Sequence, residues 1–386
     1  MYDRFGISIG STIKGIELMK ALESCGHDVQ LFWRREAEEP ASGKPTTRDV
    51  LKRYLARFLH EPNQILRNLS DLKNEKKILK NQSPDLVISR LETYVMSSPF
   101  LASKMSIPLI VEADSPVSYE LKNFDQSYWL FPNLVESMEM NVLKRADKVF
   151  CVSNVLKFYF VKRGVPEEKI HVISNGVDIQ RFHLKISCDK IKKRYQLTNQ
   201  NVIGFIGSFH YWHGVHHLIH LIQEILSSHS NVAFLLVGSG GPLKVQLESF
   251  MKEHHYEDRV ILTGHVPHDE VPAYISAMDI VLAPYPSLDF FYYSPVKIYE
   301  YMAMGKAVVS SKIGQIAEVI ENNQTGILCR PGDLQEMIEA VRGLLFNPSM
   351  RKRVGSEAHQ YIKKNHTWKH KGQLLSELCK EAVEHY

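Results

Sequence analysis

Short apolar runs, rich in β-branched residues, alternate along the chain with longer amphipathic stretches, and glycine-bearing loops join many of them. Strands that alternate with helices in this way indicate βαβ units and a parallel sheet with helices on both faces. The second half of the chain carries six predicted strands: Val202–Ile206, Val232–Val237, Val260–Leu262, Ile280–Ala283, Ala307–Ser310 and Gly326–Cys329. The first half carries four: Asp28–Trp33, Asp85–Ser89, Pro108–Glu112 and Lys148–Ser153. The pattern predicts an α/β protein built from doubly wound domains.

The start of the chain departs from that pattern. A doubly wound domain normally opens on a buried central strand, but helix-like sequence at Thr12–Glu23 begins almost at once. Met1–Arg4 is too short and polar to be the central strand. We infer that the first strand of the N-terminal domain is missing; a sheet that is one strand smaller is the alternative.

The best domain boundary is the turn-like run Ser174–Asp178, which a polar stretch follows. We therefore expect an N-terminal domain at 1–180 and a C-terminal domain at 181–365. The last segment, 366–386, is predicted as a helix that crosses back to the first domain.

Composition and charge narrow the class of protein. With 386 residues, 44% of them hydrophobic and 23% charged, the chain has an ordinary globular composition and the length of two domains. A formal net charge of +4 is too balanced for a dedicated nucleic-acid binder, so no nucleic-acid partner is expected. Five cysteines without a CxxC motif, no bilayer-length apolar run and no signal-peptide pattern predict a cytoplasmic protein with reduced thiols.

One helix is predicted to begin beside a charged pair. Ser294 is a favourable N-cap, Pro295 suits the first helical position, and Gly305 is a natural left-handed residue at which the helix ends. Lys297 and Glu300 are three residues apart and share one face. Because a predicted strand precedes this helix, its N-terminus lies where anions bind in open α/β sheets. We therefore expect Lys297 to bind an anion there; the alternative is a surface Lys–Glu pair.

Two glycine loops follow predicted strands. Gly207 and Ser208 come directly after Val202–Ile206, and a glycine there lets the backbone approach a ligand closely. The second loop begins at Gly238, but its glycines do not have the GxGxxG spacing of a dinucleotide site. By itself the second loop is interpreted as turn chemistry.

Histidines and carboxylates suggest other chemistry. His213, His216, His217 and His220 include pairs at helical i, i+3 and i+4 spacing, which can ligate zinc. There is no HExxH motif, so exposed helix histidines are favoured over a metal site.

Glu112 and Asp114 place two carboxylates on one face of a strand end. Acid/base machinery, a cation site and a solvated strand end all remain open for this pair. The sequence contains no DxD or P-loop motif, which disfavours a carboxylate–Mg²⁺ clamp and an NTPase.

In their order and spacing, these motifs resemble a retaining glycosyltransferase of the GT-B fold, family 4 type, over nearly the whole chain. The motifs that carry the resemblance are Ala146–Ser153, Ile173–Asp178 with Phe182, Gly207-Ser208 with Trp212–Val215, Leu236–Gly240, Gly264–Pro267, Ala277–Ile280, Ser294-Pro295 with Lys297, Glu300 and Tyr301, Gly305–Val309 and Gly326–Leu328.

The resemblance implies two Rossmann-like domains that face a central cleft, with the acceptor side in the first domain and the nucleotide-sugar in the second. It implies transfer of a hexosyl-type sugar from a nucleotide diphosphate-sugar to a hydroxyl of a glycan or lipid-linked acceptor, with retention. Polysaccharide or glycolipid synthesis is the expected setting, without a metal or other cofactor. A nucleotide-sugar epimerase of the same fold and a non-catalytic nucleotide-sugar-binding protein are the alternatives.

The resemblance also implies roles for single residues. Glu300 matches the glutamate that holds the ribose hydroxyls, Lys297 and the Gly207-Ser208 loop would meet the diphosphate, and Asp114 looks like the aspartate of a His-Asp pair near the reacting sugar. The expected catalytic residues are Asp114 and Lys297. The expected donor-binding residues are Gly207, Ser208, His210, His213, Gly238, Asp289, Ser294, Lys297 and Glu300.

Three features depart from the family pattern. Tyr292 stands where the first glutamate of an E-x7-E motif falls, so that sugar contact is lost or passes to another group such as Asp289. Ala113 replaces the histidine of the His-Asp pair. His210 and His213 correspond to the usual arginine and lysine of the glycine loop, and at pH 7 they would be only partly protonated. The lysine of the predicted helix compensates in charge.

Residues 48–80 are unusually basic for this chain. They hold nine Lys/Arg against four Asp/Glu, an excess of five, and five apolar residues recur there at helical spacing. Those residues are Leu51, Tyr54, Leu55, Phe58 and Leu59. A basic amphipathic helix that contacts an anionic membrane peripherally, on its cytoplasmic face, is one interpretation, and an ordinary helix with its apolar stripe in the core is the other.

Overall fold

The computed structural model describes residues 2–3, 10–35, 47–123 and 131–386. The chain divides into two compact units: residues 1–174 with 371–386 form the first unit, and residues 175–370 form the second. Both are α/β structures built on parallel sheets.

The first unit places a four-stranded parallel sheet, in the order β3-β4-β5-β6, beside a separate parallel pair, β1-β2. Its elements are β1 (Tyr2–Asp3), α1 (Gly10–Ser24), β2 (Trp33–Arg35), α2 (Thr47–Gln82), β3 (Val87–Arg90), α3 (Ser97–Met105), β4 (Leu109–Ala113), α4 (Val117–Asn123), α5 (Pro132–Arg145), β5 (Lys148–Cys151), α6 (Asn154–Val161) and β6 (Ile170–Val172).

One prediction at the start of this unit is wrong: the strand expected at Asp28–Trp33 lies at Trp33–Arg35 instead. Its neighbour is Tyr2–Asp3, a segment whose length and polarity exclude it only as the central strand. Among the described residues, the predicted strand Asp28–Trp33 joins a sheet only at its last residue, because strand structure needs a hydrogen-bonded neighbour and Tyr2–Asp3 pairs from Trp33 onward. Residues 4–9 lie outside the described residues, and the inference of a missing central strand stays a prediction.

The second unit contains a six-stranded parallel sheet in the order β12-β11-β10-β7-β8-β9. Its elements are α7 (Asp189–Arg194), β7 (Asn201–Ile206), α8 (Val215–Ser228), β8 (Val232–Val237), α9 (Lys244–Glu253), β9 (Val260–Leu262), α10 (Val271–Ala277), β10 (Ile280–Ala283), α11 (Val296–Ala303), β11 (Ala307–Ser311), α12 (Ile316–Val319), β12 (Ile327–Cys329), α13 (Leu334–Phe346) and α14 (Pro348–Asn365). A 3-10 turn at Tyr211–His213 precedes α8.

Both faces of the six-stranded sheet are covered. Along β8, Ala233, Leu235 and Val237 belong to one buried apolar cluster, whereas Val232 and Phe234 belong to another. Since neighbouring strand residues point to opposite faces, the two clusters lie on opposite sides of the sheet. All six predicted strands of this half are confirmed, because a strand that is buried on both faces appears as an uninterrupted apolar run.

The strand order changes direction between β7 and β10. The chain runs outward from β7 through β8 to β9, then returns to form β10 on the opposite side of β7. Such a switch point leaves a crevice beyond the carboxyl ends of the two adjacent strands, which is where open α/β sheets bind ligands.

The last helix, α15 (Trp368–Glu384), belongs to the first unit from Lys371 onward. Lys371 Nζ donates to Ser174 Oγ over 2.9 Å. At Gly372 a Cβ would lie 2.5 Å from Ala21 Cβ, so α15 approaches α1 closely only because this position has no side chain.

Candidate functional site

Gly207 opens the loop at the carboxyl end of β7, at the switch point. Its φ of +148° is one that residues with a side chain rarely adopt, and its N–H donates to the Val237 carbonyl over 2.9 Å. A Cβ at Gly207 would lie 2.8 Å from Lys297 Nζ and 3.2 Å from His213 Nδ1. The absence of a side chain therefore leaves room beside a cation, which a ligand can use.

Gly238 supports this loop from the next strand. Its φ is +144°, and a Cβ there would lie 2.1 Å from the Gly207 carbonyl oxygen. Its own N–H donates to the Gly264 carbonyl over 3.0 Å. Gly238 therefore holds Gly207 in place, which agrees with the interpretation of its loop as a turn.

Lys297 lies in the first turn of α11, which follows β10. Its ammonium is buried, has no hydrogen-bond partner among the described residues, and lies 4.6 Å from the Phe205 ring centroid and 5.6 Å from that of Tyr285. Burial lowers the pKa of Lys297 to about 7, against the opposing charge of Glu300. The surface Lys–Glu pair considered from the sequence is wrong, because Lys297 Nζ is buried and Glu300 is 5% exposed.

A buried ammonium with no partner is costly to a folded protein. Two aromatic faces offset part of this cost by cation–π attraction. The N-terminal position on a helix adds to the cost, because the helix dipole is positive there. The cost that remains after the cation–π contacts favours an anion beside Nζ.

Of the two histidines in the loop after β7, one is buried and neutral and the other stacks on a tryptophan. His213 Nδ1 donates to the Ser208 carbonyl over 2.9 Å. Burial, and then the charge of Lys297, lowers the pKa of His213 to about 3. The expectation that His213 is partly protonated at pH 7 is therefore wrong, and its ring is a neutral hydrogen-bonding group. The His210 ring stacks on Trp212 with centroids 4.2 Å apart.

Glu300 lies one turn further along α11. His268 Nε2 contacts its Oε1 at 2.8 Å, and Arg181 contacts His268 Nδ1 at 2.9 Å. Neither His268 nor Arg181 was singled out from the sequence. They are 32 and 119 positions away from Glu300, so no local pattern links the three.

Ser294 does not cap α11 as predicted. The residue before the helix is Pro295, which has no side-chain cap, and the Ser294 hydroxyl instead accepts from Asn175 N–H and contacts the Tyr299 hydroxyl, each over 3.1 Å. The predicted end of the helix is confirmed, because Gly305 follows it with a φ of +64°. Ser294 thus joins the loop before α11 to the turn that begins the second unit.

The other residues of this loop are placed differently from one another. Asp289 is exposed. Tyr292, which takes the place of the family's first glutamate, is 1% exposed, and its ring packs between Phe290 and Tyr293 at centroid distances of 5.1 and 4.2 Å.

Asp114 lies in the first unit, within a buried ion cluster. Lys14 Nζ contacts Glu112 Oε1 at 2.7 Å and also contacts Asp114 Oδ1, while Arg90 contacts Asp114 Oδ2 at 2.9 Å. Burial acts to raise the pKa of Asp114, but the charges of Lys14 and Arg90 outweigh it and hold the pKa below its ordinary value. Both carboxylates share one face, as predicted, and Lys14 is the counter-charge that the sequence did not reveal.

The α8 histidines belong to no metal cluster in the part of the chain that the structure describes, where no group of three His, Cys, Asp or Glu side chains is arranged to hold an ion. His217 lies 3.9 Å from the His216 ring centroid, and burial, followed by the charges of its neighbours, lowers its pKa to about 4. Within the described residues, no helix combines the length and apolarity needed to traverse a bilayer.

Comparisons with known proteins match both halves of the chain. A family model named Glycosyltransferase Family 4 matches residues 16–181, and one named Glycosyl transferases group 1 matches residues 200–347.

The individual relatives share only low sequence identity with this chain. The 2-deoxystreptamine glucosyltransferase of Streptomyces kanamyceticus is 26% identical over 220 residues, 56% of each chain. The phosphatidylinositol N-acetylglucosaminyltransferase GPI3 subunit of Saccharomyces cerevisiae is 26% identical over 267 residues, 68% of this chain and 56% of that one. The matched stretch thus spans a little more than half of each relative.

A solved structure resembles the whole fold. Anabaena Alr3699/HepE, in complex with UDP and glucose, superposes with a TM-score of 0.72 at 19% identity and covers 98% of each chain. This likeness, with the two parallel α/β sheets, shows the GT-B fold. The two family matches, which together cover most of the chain, show that the chain belongs to the glycosyltransferases of the family 4 type.

Proposed function

We propose that the protein transfers a sugar from a nucleotide diphosphate-sugar to a hydroxyl of a glycan or lipid-linked acceptor, with retention of configuration, in polysaccharide or glycolipid synthesis. One observation carries the proposal: the buried Lys297 ammonium lies beside Gly207 with no hydrogen-bond partner among the described residues. A diphosphate supplies the missing anion. The complex of HepE with UDP and glucose supports a donor of this class.

Catalysis would be electrostatic. Negative charge grows on the diphosphate as the bond between the sugar C1 and the β-phosphate oxygen breaks, and a preorganised cation stabilises that charge. The acceptor oxygen forms the new bond to C1 on the same face, and its proton passes to an oxygen of the departing diphosphate. Atoms and charge balance without an enzyme nucleophile, and Lys297 is the residue to which we assign the stabilisation.

The other donor contacts follow from the chemistry of each group. Glu300 would accept hydrogen bonds from the ribose hydroxyls, because a buried carboxylate is a strong acceptor. The Ser208 hydroxyl would donate to a phosphate, while the neutral His213, whose Nδ1–H is donated to the Ser208 carbonyl, would hold that loop in place. His210 and Asp289 would meet the nucleotide and the sugar. Of the nine predicted donor residues, Gly238 and Ser294 would act by holding the neighbouring backbone.

Asp114 stays a proposed catalytic residue of the first unit, and the support for it is the resemblance to the family aspartate. Its cluster with Lys14 and Arg90 keeps the carboxylate ionised, since both partners lower its pKa. An ionised carboxylate can stabilise positive charge that develops on a sugar in the transition state.

A second candidate function has one observation in its favour. Tyr292 is buried among aromatic rings where the family has a sugar-binding glutamate, which favours a nucleotide-sugar-binding protein without turnover. Binding of a donor without release of nucleoside diphosphate, against glycan and lipid acceptors alike, would support this alternative.

The acceptor side is proposed to work at a membrane surface, through the second half of α2. Between residues 61 and 82 every acidic side chain is buried and every basic one is exposed. The buried acids are Glu61, Asp71 and Glu75, and the exposed bases are Arg67, Lys73, Lys76, Lys77 and Lys80. Leu66 and Leu69 are 60% and 67% exposed on the same helix.

Such a face suits anionic lipid, because each surface cation contributes about 1 kcal/mol to binding a negatively charged bilayer. The relative whose name gives phosphatidylinositol as its substrate supports an acceptor at a membrane. The side chains of Leu51, Tyr54, Leu55, Phe58 and Leu59 lie outside the described side chains, so the first half of the proposed surface stays a prediction from the sequence.

Flotation with phosphatidylglycerol vesicles at low and high salt tests the membrane proposal. We expect salt-sensitive binding that is lost when Lys73, Lys76 and Lys77 are replaced by glutamine. Replacing three exposed lysines of α14, namely Lys352, Lys363 and Lys364, removes the same charge and should leave binding unchanged. Equal loss in both variants, or no binding by the wild type, would exclude this surface.

The transferase proposal is tested by release of nucleoside diphosphate from UDP-, GDP- and ADP-sugars with lipid and glycan acceptors. We expect acceptor-dependent release, an unchanged anomeric configuration by NMR, and a kcat about 10²–10³ lower for Lys297→Ala. Lys252→Ala, an exposed lysine of the same unit, is the control. Turnover of the donor without acceptor would indicate an epimerase, and wild-type rates for Lys297→Ala would place the diphosphate elsewhere.

A further inference from the structure

Glu300 is held by a histidine that belongs to another part of the second unit. His268 follows the Gly264–Pro267 motif, and its Nε2 lies 2.8 Å from Glu300 Oε1. The Glu300 side chain is 7% exposed and that of His268 is 27% exposed. The buried carboxylate therefore has a fixed donor on one of its oxygens.

Arg181 determines which nitrogen of His268 carries the hydrogen. Arginine has only donors, so His268 Nδ1, 2.9 Å from an Arg181 nitrogen, must be the acceptor. A neutral imidazole with an accepting Nδ1 carries its hydrogen on Nε2, which is the atom that faces Glu300. The three residues thus form a directed chain of hydrogen bonds from Arg181 through His268 to Glu300.

The turn that begins the second unit holds this chain in place. Arg181 and Phe182 both donate their backbone N–H to the Asp178 carbonyl, over 3.2 and 2.9 Å. Phe182 is 2% exposed, and its ring centroid lies 5.5 Å from that of His268. Phe182 and His268, which follow the motifs Ile173–Asp178 and Gly264–Pro267 in the sequence, therefore pack together beside Glu300.

A carboxylate held in this way is preorganised to bind a vicinal diol. His268 takes one lone pair of Oε1, which leaves the other lone pair of Oε1 and both lone pairs of Oε2 for hydroxyl hydrogens. Fixing the carboxylate plane before the ligand arrives lowers the entropic cost of a two-point contact. A ligand without the two hydroxyls gains nothing from this preparation.

We propose that His268 and Arg181 are positioning residues that orient Glu300 toward the ribose hydroxyls of the nucleotide, and so make the site selective for ribonucleotides. The inference rests on the proposed function, which makes Glu300 the ribose contact. It adds the two residues through which the contact becomes selective.

The test is the ratio of dissociation constants of UDP, GDP and ADP to those of their 2′,3′-dideoxy counterparts, by calorimetry. We expect the wild type to prefer at least one ribonucleotide by about tenfold or more, the range of a hydrogen bond to a charged group. His268→Ala should bring the ratio near one and leave the affinity for the dideoxy compound unchanged. His268→Gln, which keeps an N–H donor, should retain most of the selectivity.

Two further variants complete the series. Arg181→Met should lower the ratio in part, since His268 remains but can change its tautomer and rotate. His220→Ala removes an exposed histidine of α8 and should behave as the wild type. Melting temperatures of all variants separate loss of fold from loss of selectivity.

The outcomes distinguish the two proposals. If the wild type binds no nucleoside diphosphate, the proposed function fails and this inference falls with it. If the wild type discriminates and Glu300→Gln does not, but His268→Ala still discriminates, only the positioning role is overturned. Equal loss of affinity for both compounds in His268→Ala also overturns it, because a structural role would act on both. If the wild type binds the ribonucleotides and their dideoxy counterparts equally well, the proposed contact between Glu300 and the ribose is itself overturned.

Discussion

Lys297 Nζ lies against the face of Gly207 that has no side chain, so that a Cβ there would come within 2.8 Å of the ammonium. One residue supplies the charge and the other supplies the room beside it. They are brought together at the switch point of the sheet, where the loop after β7 meets the helix that follows β10. The proposed binding of a diphosphate depends on this pair.

Gly207→Ala should weaken binding of nucleoside diphosphates about tenfold or more. The alanine Cβ would displace the ammonium and strain a backbone with a φ of +148°, at a cost of about 1–3 kcal/mol. Calorimetry with UDP, GDP and ADP measures the affinity. Gly343→Ala is the matched control: this exposed glycine of α13 has open space around it, so the change should leave affinity intact and raise stability slightly. Unchanged affinity in Gly207→Ala would mean that the ligand does not approach this glycine.

Lys297→Met should stabilise the free protein while it abolishes tight donor binding. Methionine keeps the apolar stem against Phe205 and removes a buried ammonium that has no hydrogen-bond partner among the described residues. Chemical denaturation should show a higher free energy of unfolding, and calorimetry should show weaker binding of nucleoside diphosphate. A less stable variant would contradict the view that the ammonium is uncompensated.

Donor affinity should fall as the pH rises above about 7. Lys297 in the free protein has a pKa of about 7, and a bound diphosphate favours the charged form and raises that pKa. Binding is therefore coupled to proton uptake between the free and the bound pKa. Calorimetry from about pH 6 to pH 9, in buffers of different ionisation enthalpy, should detect this uptake. The uptake should be absent in Lys297→Met; if it persists there, another group takes up the proton.

In the protein without ligand, a rise in pH has the opposite effect, because it increases the contribution of Lys297 to stability. Its folded pKa of about 7 is below the ordinary value of 10.5, so the unfolded chain binds more protons between these values. The contribution of Lys297 to the free energy of unfolding should therefore rise with pH through this window. The difference between wild type and Lys297→Met, measured by denaturation across the window, should shrink toward high pH. A constant difference would place the pKa outside it.

Lys14→Met should destabilise the first unit by about 3–5 kcal/mol, because it leaves Glu112 and Asp114 buried with one of their counter-charges removed. Arg90 still pairs with Asp114, so Glu112 loses most. The loss should be smaller at low pH, where the unpaired carboxylates become protonated. Lys20→Met, on the exposed face of the same helix, is the control in thermal denaturation. Equal melting of both variants would show that the cluster contributes little.

The sequence predicts the second sheet well, for a physical reason. Val232–Val237 is a strand from the first predicted residue to the last, because burial on both faces requires an unbroken apolar run. Ile170–Val172 was missed, since His171 interrupts its apolar pattern. Asp28–Trp33 has the apolar pattern of a strand, but within the part of the chain that the structure describes it pairs only at Trp33.

Several features of the site could not be predicted from the sequence. Helix spacing placed Lys297 and Glu300 on one face, but Lys297 is buried against Phe205 and the loop after β7, roughly ninety positions earlier in the chain. His213 carries no charge because the same fold buries it beside Lys297. Arg181 and His268 reach Glu300 only through tertiary structure, and such contacts leave no periodic pattern in a single sequence.

Thermal denaturation of the wild type and Lys297→Met across a panel of UDP-, GDP- and ADP-sugars tests whether Lys297 binds the diphosphate of a nucleotide-sugar. At a concentration of about 100 times Kd, a ligand that binds only the folded protein stabilises it by about 2.7 kcal/mol. We expect at least one nucleotide-sugar to raise the melting temperature of the wild type by this mechanism, and the shift to be largely lost in Lys297→Met. No shift with any nucleotide-sugar, or an equal shift in both proteins, would contradict it.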